Sequence, residues 1–263
     1  MKNQSALKRL IINLKYNGIK ITFQKMIFFS FLGVGRLFRS NFPISRLIKK
    51  YKKIMADVDS IEEIYDNVCQ IKYLNVDIKP LQVRKEILAL LQKVKDIKPK
   101  IIVEIGTNKG GTLALYTNVS QSDTKLISLD LPSGQFGGGY PEWKIPLYKS
   151  FARENQQIKL IRADSHELES LEILKNELNG QEIDFLFIDG DHTYEGIKQD
   201  FEMYSPLVRS KGMIAFHDIV VHENIDEVNV FQFWNEIKEN YEYIENVEDW
   251  DQKSCGIGII IKP

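Results

Sequence analysis

Three carboxylates and two imidazoles fall where they can act together. Asp189-Gly190-Asp191-His192 follows the apolar run IDFLFI (183–188), and His217-Asp218 follows GMIAF (212–216). If these runs are neighbouring strands, their ends bring the five side chains within a few ångströms of one another. Clustered carboxylates repel, and a divalent cation relieves that repulsion. With an imidazole beside them they suit an octahedral Mg²⁺ or Mn²⁺ site that keeps positions open for substrate oxygens. Asp189, His217 and Asp218 are the expected ligands. A metal there would hold two vicinal oxygens and lower the pKa of one. Asp191 is the first candidate for the base that takes the proton, and His192 the second. Histidine has the better unperturbed pKa for that work. His192 has a plainer reading too, as a hydrogen-bonded residue opening the helix that follows.

A second group precedes these. Glu104-Ile-Gly106-Thr107-Asn108-Lys-Gly110-Gly111 follows the run IIVEI and opens a helix. Its glycines let backbone come close to a ligand, and free N–H groups at a helix start attract an anion. Gly106, Gly110 and Gly111 do not fit the dinucleotide pattern G-x-G-x-x-G, so a cofactor with one carboxylate fits better than a pyrophosphate. Thr112 could cap the helix or touch that carboxylate. Asp130 ends the next run, where an acid can bind both hydroxyls of a ribose. Asp164, in Arg-Ala-Asp164-Ser165-His, could accept from an adenine amino group or serve as a helix N-cap. Ser133–Trp143 (SGQFGGGYPEW) combines glycines with Phe136, Tyr140 and Trp143 and reads as a lid or substrate loop. Trp250, before the last apolar run, could line the acceptor pocket. Tyr194, Phe231, Phe233 and Trp234 read as core.

Positioning these residues requires an α/β sheet. Strand-like runs lie at 101–106, 125–131, 158–164, 183–190 and 212–219, with helical stretches near 110–119, 146–155, 166–178, 193–205 and 228–240. Runs rich in Ile, Leu, Val and Phe on both faces mean a buried parallel sheet covered by helices. Ligands then bind outside the carboxyl ends of the strands, where the acids sit. Two more strands follow, near 241–247 and 256–262. Residues 100–263 therefore form the catalytic domain. Residues 57–99 read as a helical bridge, with a helix from Leu81 to Ile97, Pro80 in its first turn, and Ile87, Leu88, Leu91, Val94 and Ile97 on one face.

Residues 1–56 form a basic head. They hold 13 of the 35 Lys and Arg and none of the 36 Asp and Glu, so the rest of the chain is strongly acidic. An acidic body argues against nucleic acid. Phe23, Ile27, Phe28, Phe31, Leu32, Leu37 and Phe38 among the cations suit a helix lying on an anionic membrane surface, or one packing on the domain or on a second subunit. The uncharged run Met26–Gly35 is too short to cross a bilayer. Cys69 and Cys255 match no metal or redox spacing and read as small hydrophobes of a reducing cytoplasm. A cytoplasmic protein, with peripheral contact at the inner membrane face, is the expectation.

The segments EIGTNKGG, LISLDL, PEWKIPLY, RADSHE, FLFIDGDHTYEGIKQDFEMYSPLV, GMIAFHDI and EDWDQKSCGIGI resemble the class I S-adenosylmethionine (SAM)-dependent methyltransferases. The likeness is to the metal-dependent small-molecule and sugar O-methyltransferase branch, including the cephalosporin-hydroxylase-like and macrocin O-methyltransferase-like proteins, and covers about residues 75–263. It implies a Rossmann-like seven-stranded, mostly parallel sheet with helices on both faces and an antiparallel last pair. It implies that Glu104 and Gly106 face the methionine part of SAM, Asp130 the ribose, and Asp164 with Ser165 the adenine. In these families acids after the fourth and fifth strands hold the metal. Asp189 and Asp218 match, while His217 stands where a carboxylate is usual. The function so implied is O-methylation of a small molecule or sugar hydroxyl, assisted by a divalent metal such as Mg²⁺. The alternatives are an NAD-dependent oxidoreductase on the same sheet and a SAM-binding protein without turnover. A homo-oligomer is compatible with all three.

Overall fold

The apolar runs become strands whose residues alternate between two cores. In the computed structural model, which describes residues 42–263 except 75, 135, 137, 138 and 224, the elements run in this order: α1 (Phe42–Ile54), α2 (Ile61–Cys69), a short antiparallel pair β1 (Lys72–Tyr73) and β2 (Val76–Asp77), α3 (Arg84–Ile97), β3 (Ile101–Ile105), α4 (Gly111–Val119), β4 (Lys125–Leu129), α5 (Ile145–Lys149), β5 (Gln157–Ile161), α6 (Leu168–Leu178), β6 (Ile183–Ile188), α7 (Tyr194–Tyr204), β7 (Val208–His217), α8 (Val230–Ile237), β8 (Glu242–Asn246) and β9 (Ile257–Ile261). The main sheet has seven strands in the order β5-β4-β3-β6-β7-β9-β8. Pairings are parallel from β5 to β7, and β9 is antiparallel to both β7 and β8. The expected mixed seven-stranded sheet is therefore present.

Ile102, Leu126, Phe185, Phe187, Met213, Ala215, Ile257 and Ile259 pack on α1 to α5. Ile101, Val103, Ile105, Leu186, Ile188, Ile214, Phe216 and Ile260 pack on α6, α7 and α8. Period-two alternation on a sheet covered on both sides produces this division. The strand order turns back between β3 and β6, which places the crevice at their carboxyl ends.

Helices α2 and α3 pack in the first core through Ile61, Ile64, Val68, Ile87, Leu90, Leu91 and Val94. The head's last stretch joins them, because Ile44, Leu47, Tyr51 and Met55 are buried there. The membrane expectation for residues 1–41 lies outside the described residues. Among the described ones, no helix is long and apolar enough to cross a membrane. Helix α3 starts at Arg84, not Leu81, after the N-cap Val83. Pro80 to Gln82 instead run along the crevice, and Gly111 sits so close that a Cβ there would be 2.5 Å from the Pro80 nitrogen. Helix α5 is five residues long, not ten, since the chain turns at Ser150 and Arg153 spends its guanidinium on the Asn118 and Ser120 carbonyls.

Candidate active site

Backbone bonds beyond the strand ends hold the acid-bearing turns in register. Gly106 N–H donates to the Leu129 carbonyl (2.9 Å), Asp189 N–H to Ile105 (2.8 Å) and Asp130 N–H to Ile161 (3.0 Å). Gly106 has φ +88°, and a Cβ added to it would lie 1.9 Å from the Asp189 carbonyl oxygen. The tips of β3 and β6 therefore touch through a residue that must be glycine. The turn after it closes by Gly110 N–H to Thr107 carbonyl (2.7 Å) and is braced from below by the Tyr148 hydroxyl, which donates to the Asn108 carbonyl (3.0 Å).

Above these turns lies a cavity of about 410 Å³, within the size range of small-molecule pockets. Its lining includes Gly106, Thr107, Asn108, Thr112, Asp130, Asp164, Ser165, Asp189, Asp191, His192, His217 and Asp218. Most of the expected site residues thus share one cavity.

Asp189 is the hub of the polar cluster. Its Oδ2 accepts from Gln82 Nε2 at 2.7 Å. Its Oδ1 lies 3.1 Å from His217 Nδ1 and 3.5 Å from His192 Nε2. Asp218 Oδ2 lies 2.7 Å from His192 Nδ1, and its Oδ1 is 3.4 Å from His217 Nδ1. Burial works against a charge on His217, but Asp218 and Asp189 outweigh it and hold its pKa well above the ordinary value. Burial likewise opposes charge on His192, and the Asp218 hydrogen bond with the Asp189 carboxylate reverses the balance, raising its pKa. Burial would raise Asp218, yet the two imidazoles hold it well below the usual carboxylate range. Phe136 stacks on the His192 ring at 5.0 Å.

Asp191 is tied down locally: its Oδ1 accepts the Thr193 N–H at 2.8 Å, and its carboxyl packs on Gly196, where a Cβ would be 2.2 Å away from Asp191 Cγ. Asp164 closes a turn by accepting the His166 N–H at 3.0 Å. Asp130 is 5% exposed, and its Oδ2 has no hydrogen-bond partner. Burial lifts its pKa to about 6, against the pull of neighbouring backbone N–H groups.

Five expected site residues do not line the cavity. Glu104 lies on the strand face that packs against α4, fully buried beneath the floor and without a hydrogen-bond partner for either oxygen. Gly110 turns its missing Cβ toward the Tyr148 ring, 2.7 Å away. Tyr140 is 2% exposed, packed edge-on to Tyr148 at 4.7 Å, because the chain at this point turns into the core instead of standing over the cavity. Trp143 and Trp250 are surface residues, 41% and 58% exposed. Of the lid stretch, Gly134 and Phe136 do reach the cavity. Sequence reasoning missed Gln82, His166, His222, Ser254 and Cys255, which also line it. Of the residues read as core, Phe233 and Trp234 are buried in the second core, Tyr194 packs half-buried against it, and Phe231 is half-buried.

The buried acids set a pH dependence. Burial pushes Glu104 up to about 8 and Asp200, held beneath the 164–166 turn, up to about 7. In the unfolded chain both ionise near ordinary carboxylate values. The fold therefore binds protons that the unfolded chain has lost, and this contribution fades as pH rises from about 4 through about 8. The raised histidines act in the same direction at their upper end. The thermal midpoint of the ligand-free protein is expected to fall between pH 5 and 8.5, and Glu104→Gln is expected to flatten that fall and raise the midpoint at pH 8. Scanning calorimetry across pH checks this. A wild-type midpoint that rises over the interval contradicts it.

Residues 103–219 match the family described as "Methyltransferase domain". An O-methyltransferase from Bacillus cereus, solved with SAH, is similar with a TM-score of 0.52 and 19% identity over 80% of this chain and 94% of that one. The O-methyltransferase TomG from Streptomyces achromogenes, solved with SAM, has a TM-score of 0.50 and 13% identity over 79% and 92%. These likenesses are of fold. A protein of Acanthamoeba polyphaga mimivirus is 34% identical over 116 residues, and one of Sinorhizobium fredii 28% over 152 residues. The chain spans half the length of the first and 16% of the second.

Proposed function

We propose, from the match of residues 103–219 to a methyltransferase-domain family, that this chain is a SAM-dependent O-methyltransferase acting on a hydroxyl of a small molecule or sugar, assisted by a divalent cation. The observation that carries the reading is the convergence of Asp130, Asp164, Asp189 and Asp218 on one cavity that also holds the 106–112 turn. The residues present fit both groups. The unpartnered Oδ2 of buried Asp130 suits a ribose hydroxyl, and the glycine-floored turn admits a ligand against bare backbone. His217 is 5% exposed with neither ring nitrogen in hydrogen-bond geometry, which suits a missing metal bond.

When bound, SAM supplies a methyl group on a sulfonium, and the cation lowers the pKa of the acceptor hydroxyl. Asp189, His217 and Asp218 would hold the cation. The proton of the acceptor goes to His192 rather than Asp191 in this reading. Asp218 fixes the His192 proton on Nδ1, which leaves Nε2 as the accepting atom. Asp191 is spent on the start of α7. The His166 and Ser165 turn, held by the Tyr204 hydroxyl at 2.6 Å from the Ser165 carbonyl, frames the adenine end.

Calorimetry is expected to detect SAM and not NAD. Asp130→Ala is expected to weaken SAM by roughly 30-fold, about 2 kcal/mol, the value of charged hydrogen bonds to a hydroxyl pair. Binding of NAD in place of SAM would overturn the cofactor assignment. Mass spectrometry with SAM and a panel of glycosides and catechols, with and without chelator, tests the transfer itself. Products unaffected by the chelator would remove the metal from the reading.

A further inference from the structure

A thiol stands in the wall of the same cluster. Strand β9 runs antiparallel to β7, with His217 paired to Ile257. The ladder continues past the strand ends, through Ile219 N–H to the Gly256 carbonyl and Val220 N–H to the Cys255 carbonyl. This register sets Cys255 beside Asp218, whose Oδ1 accepts the Cys255 N–H at 3.0 Å. Cys255 has φ +68°, a conformation that turns the chain sharply before Gly256. A donor atom each from His217, Asp218 and Cys255 lies within 4.8 Å of the other two. Asp189, His192 and Asp218 form a second such group, and the two share Asp218.

The spacing fits a coordination sphere. Two donors each ~2.1 Å from one ion, at angles of 90–109°, lie roughly 3.0–3.4 Å apart. His217 Nδ1 is 3.1 Å from Asp189 Oδ1 and 3.4 Å from Asp218 Oδ1. His217 is buried, and its ring nitrogens have no hydrogen-bond partner among the described residues. The donor set is therefore imidazole, thiol and carboxylate. Mg²⁺ prefers oxygen and keeps its waters, whereas nitrogen and sulfur donors favour zinc and the later first-row divalent ions.

We propose that Cys255 is a metal ligand and that it makes this centre select a borderline ion of the zinc class over Mg²⁺. The inference rests on the metal part of the reading above. On binding, the thiol gives its proton to solvent and a metal–sulfur bond forms, with no change of oxidation state. As a thiolate, Cys255 would supply negative charge beside His217, where the neighbouring donor is a neutral imidazole.

Cobalt tests this without reference to turnover. The chelator-treated full chain is titrated with Co²⁺ and followed in the near ultraviolet, where sulfur-to-cobalt charge transfer absorbs. The expected result is a charge-transfer band that is lost in Cys255→Ser and in Cys255→Ala but retained in Cys69→Ser. Stoichiometric Zn²⁺ is expected to displace the Co²⁺, and millimolar Mg²⁺ to leave it bound. By calorimetry, Cys255→Ser is expected to weaken Zn²⁺ by at least the roughly 10–100-fold that losing an outer-shell partner costs. Circular dichroism of both Cys255 variants confirms that they fold. Co²⁺ binding without the band, or displacement by equimolar Mg²⁺, overturns the proposal and leaves the oxygen-bound metal reading standing. Absence of any Co²⁺, Zn²⁺ or Mg²⁺ heat overturns both.

Discussion

Alanine at Asp189 is expected to reduce methyl transfer by on the order of 10²–10³-fold, the scale on which removal of one preorganised electrostatic partner acts. SAM affinity is expected to change far less. The reason lies in what Asp189 touches. One oxygen is held by Gln82 and the other faces His217 and His192, so its loss leaves two imidazoles without their shared counter-charge. It also removes one of the three proposed ligands of the cation and a carboxylate that raises the pKa of both imidazoles. Asp189→Asn is expected to behave similarly for turnover while retaining the Gln82 contact, which separates charge from shape. Single-turnover rates and calorimetry on the three proteins decide it. Turnover preserved in Asp189→Ala would mean that the cluster is not where the chemistry happens.

Gly106→Ala is expected to cost at least about 4 kcal/mol of stability, at the level reserved for severe single changes. Two independent penalties coincide there. The φ of +88° disfavours any side chain, and the new Cβ would lie 1.9 Å from a backbone oxygen that has no room to retreat, because Asp189 N–H is itself bonded to Ile105. Backbone cannot rotate away as a flexible side chain could. Chemical denaturation measures the loss, and a wild-type midpoint for Gly106→Ala would show that β3 and β6 do not approach as closely as described. The contrast is Gly180, which has φ +79° but empty space where a Cβ would go. There alanine meets only the backbone penalty.

The strands and the acids that end them were legible because burial on both faces leaves an unmistakable apolar run and because a charge at its end breaks the pattern. Glu104, Asp130, Asp189 and Asp218 could all be found that way. Direction was harder. Glu104 sits one residue from the end of β3, and the alternation of the sheet turns it into the core, while its neighbour Ile105 lines the cavity. Local composition made Tyr140 and Trp143 look like lid residues, yet Tyr140 packs against Tyr148 in the first core. Gln82 and Cys255 carry no signal at the level of local pattern. Gln82 meets Asp189 107 residues later, and Cys255 meets Asp218 only through the antiparallel register of β7 and β9. Such contacts are products of topology.

Glu86 shows how far that topology reaches. On α3, buried at 1% exposure, it accepts from the backbone N–H groups of Glu248 and Gly256 and from Gln252 Nε2. These partners lie 162 to 170 residues downstream. Strand β9, which follows them, is also an inner strand, threaded between β7 and β8. During synthesis the helix therefore emerges before the partners of its carboxylate exist, and β8 is made before the strand that joins it to β7. The wall carrying Cys255 is set only when β9 pairs with β7, so the pocket cannot close before that strand is made.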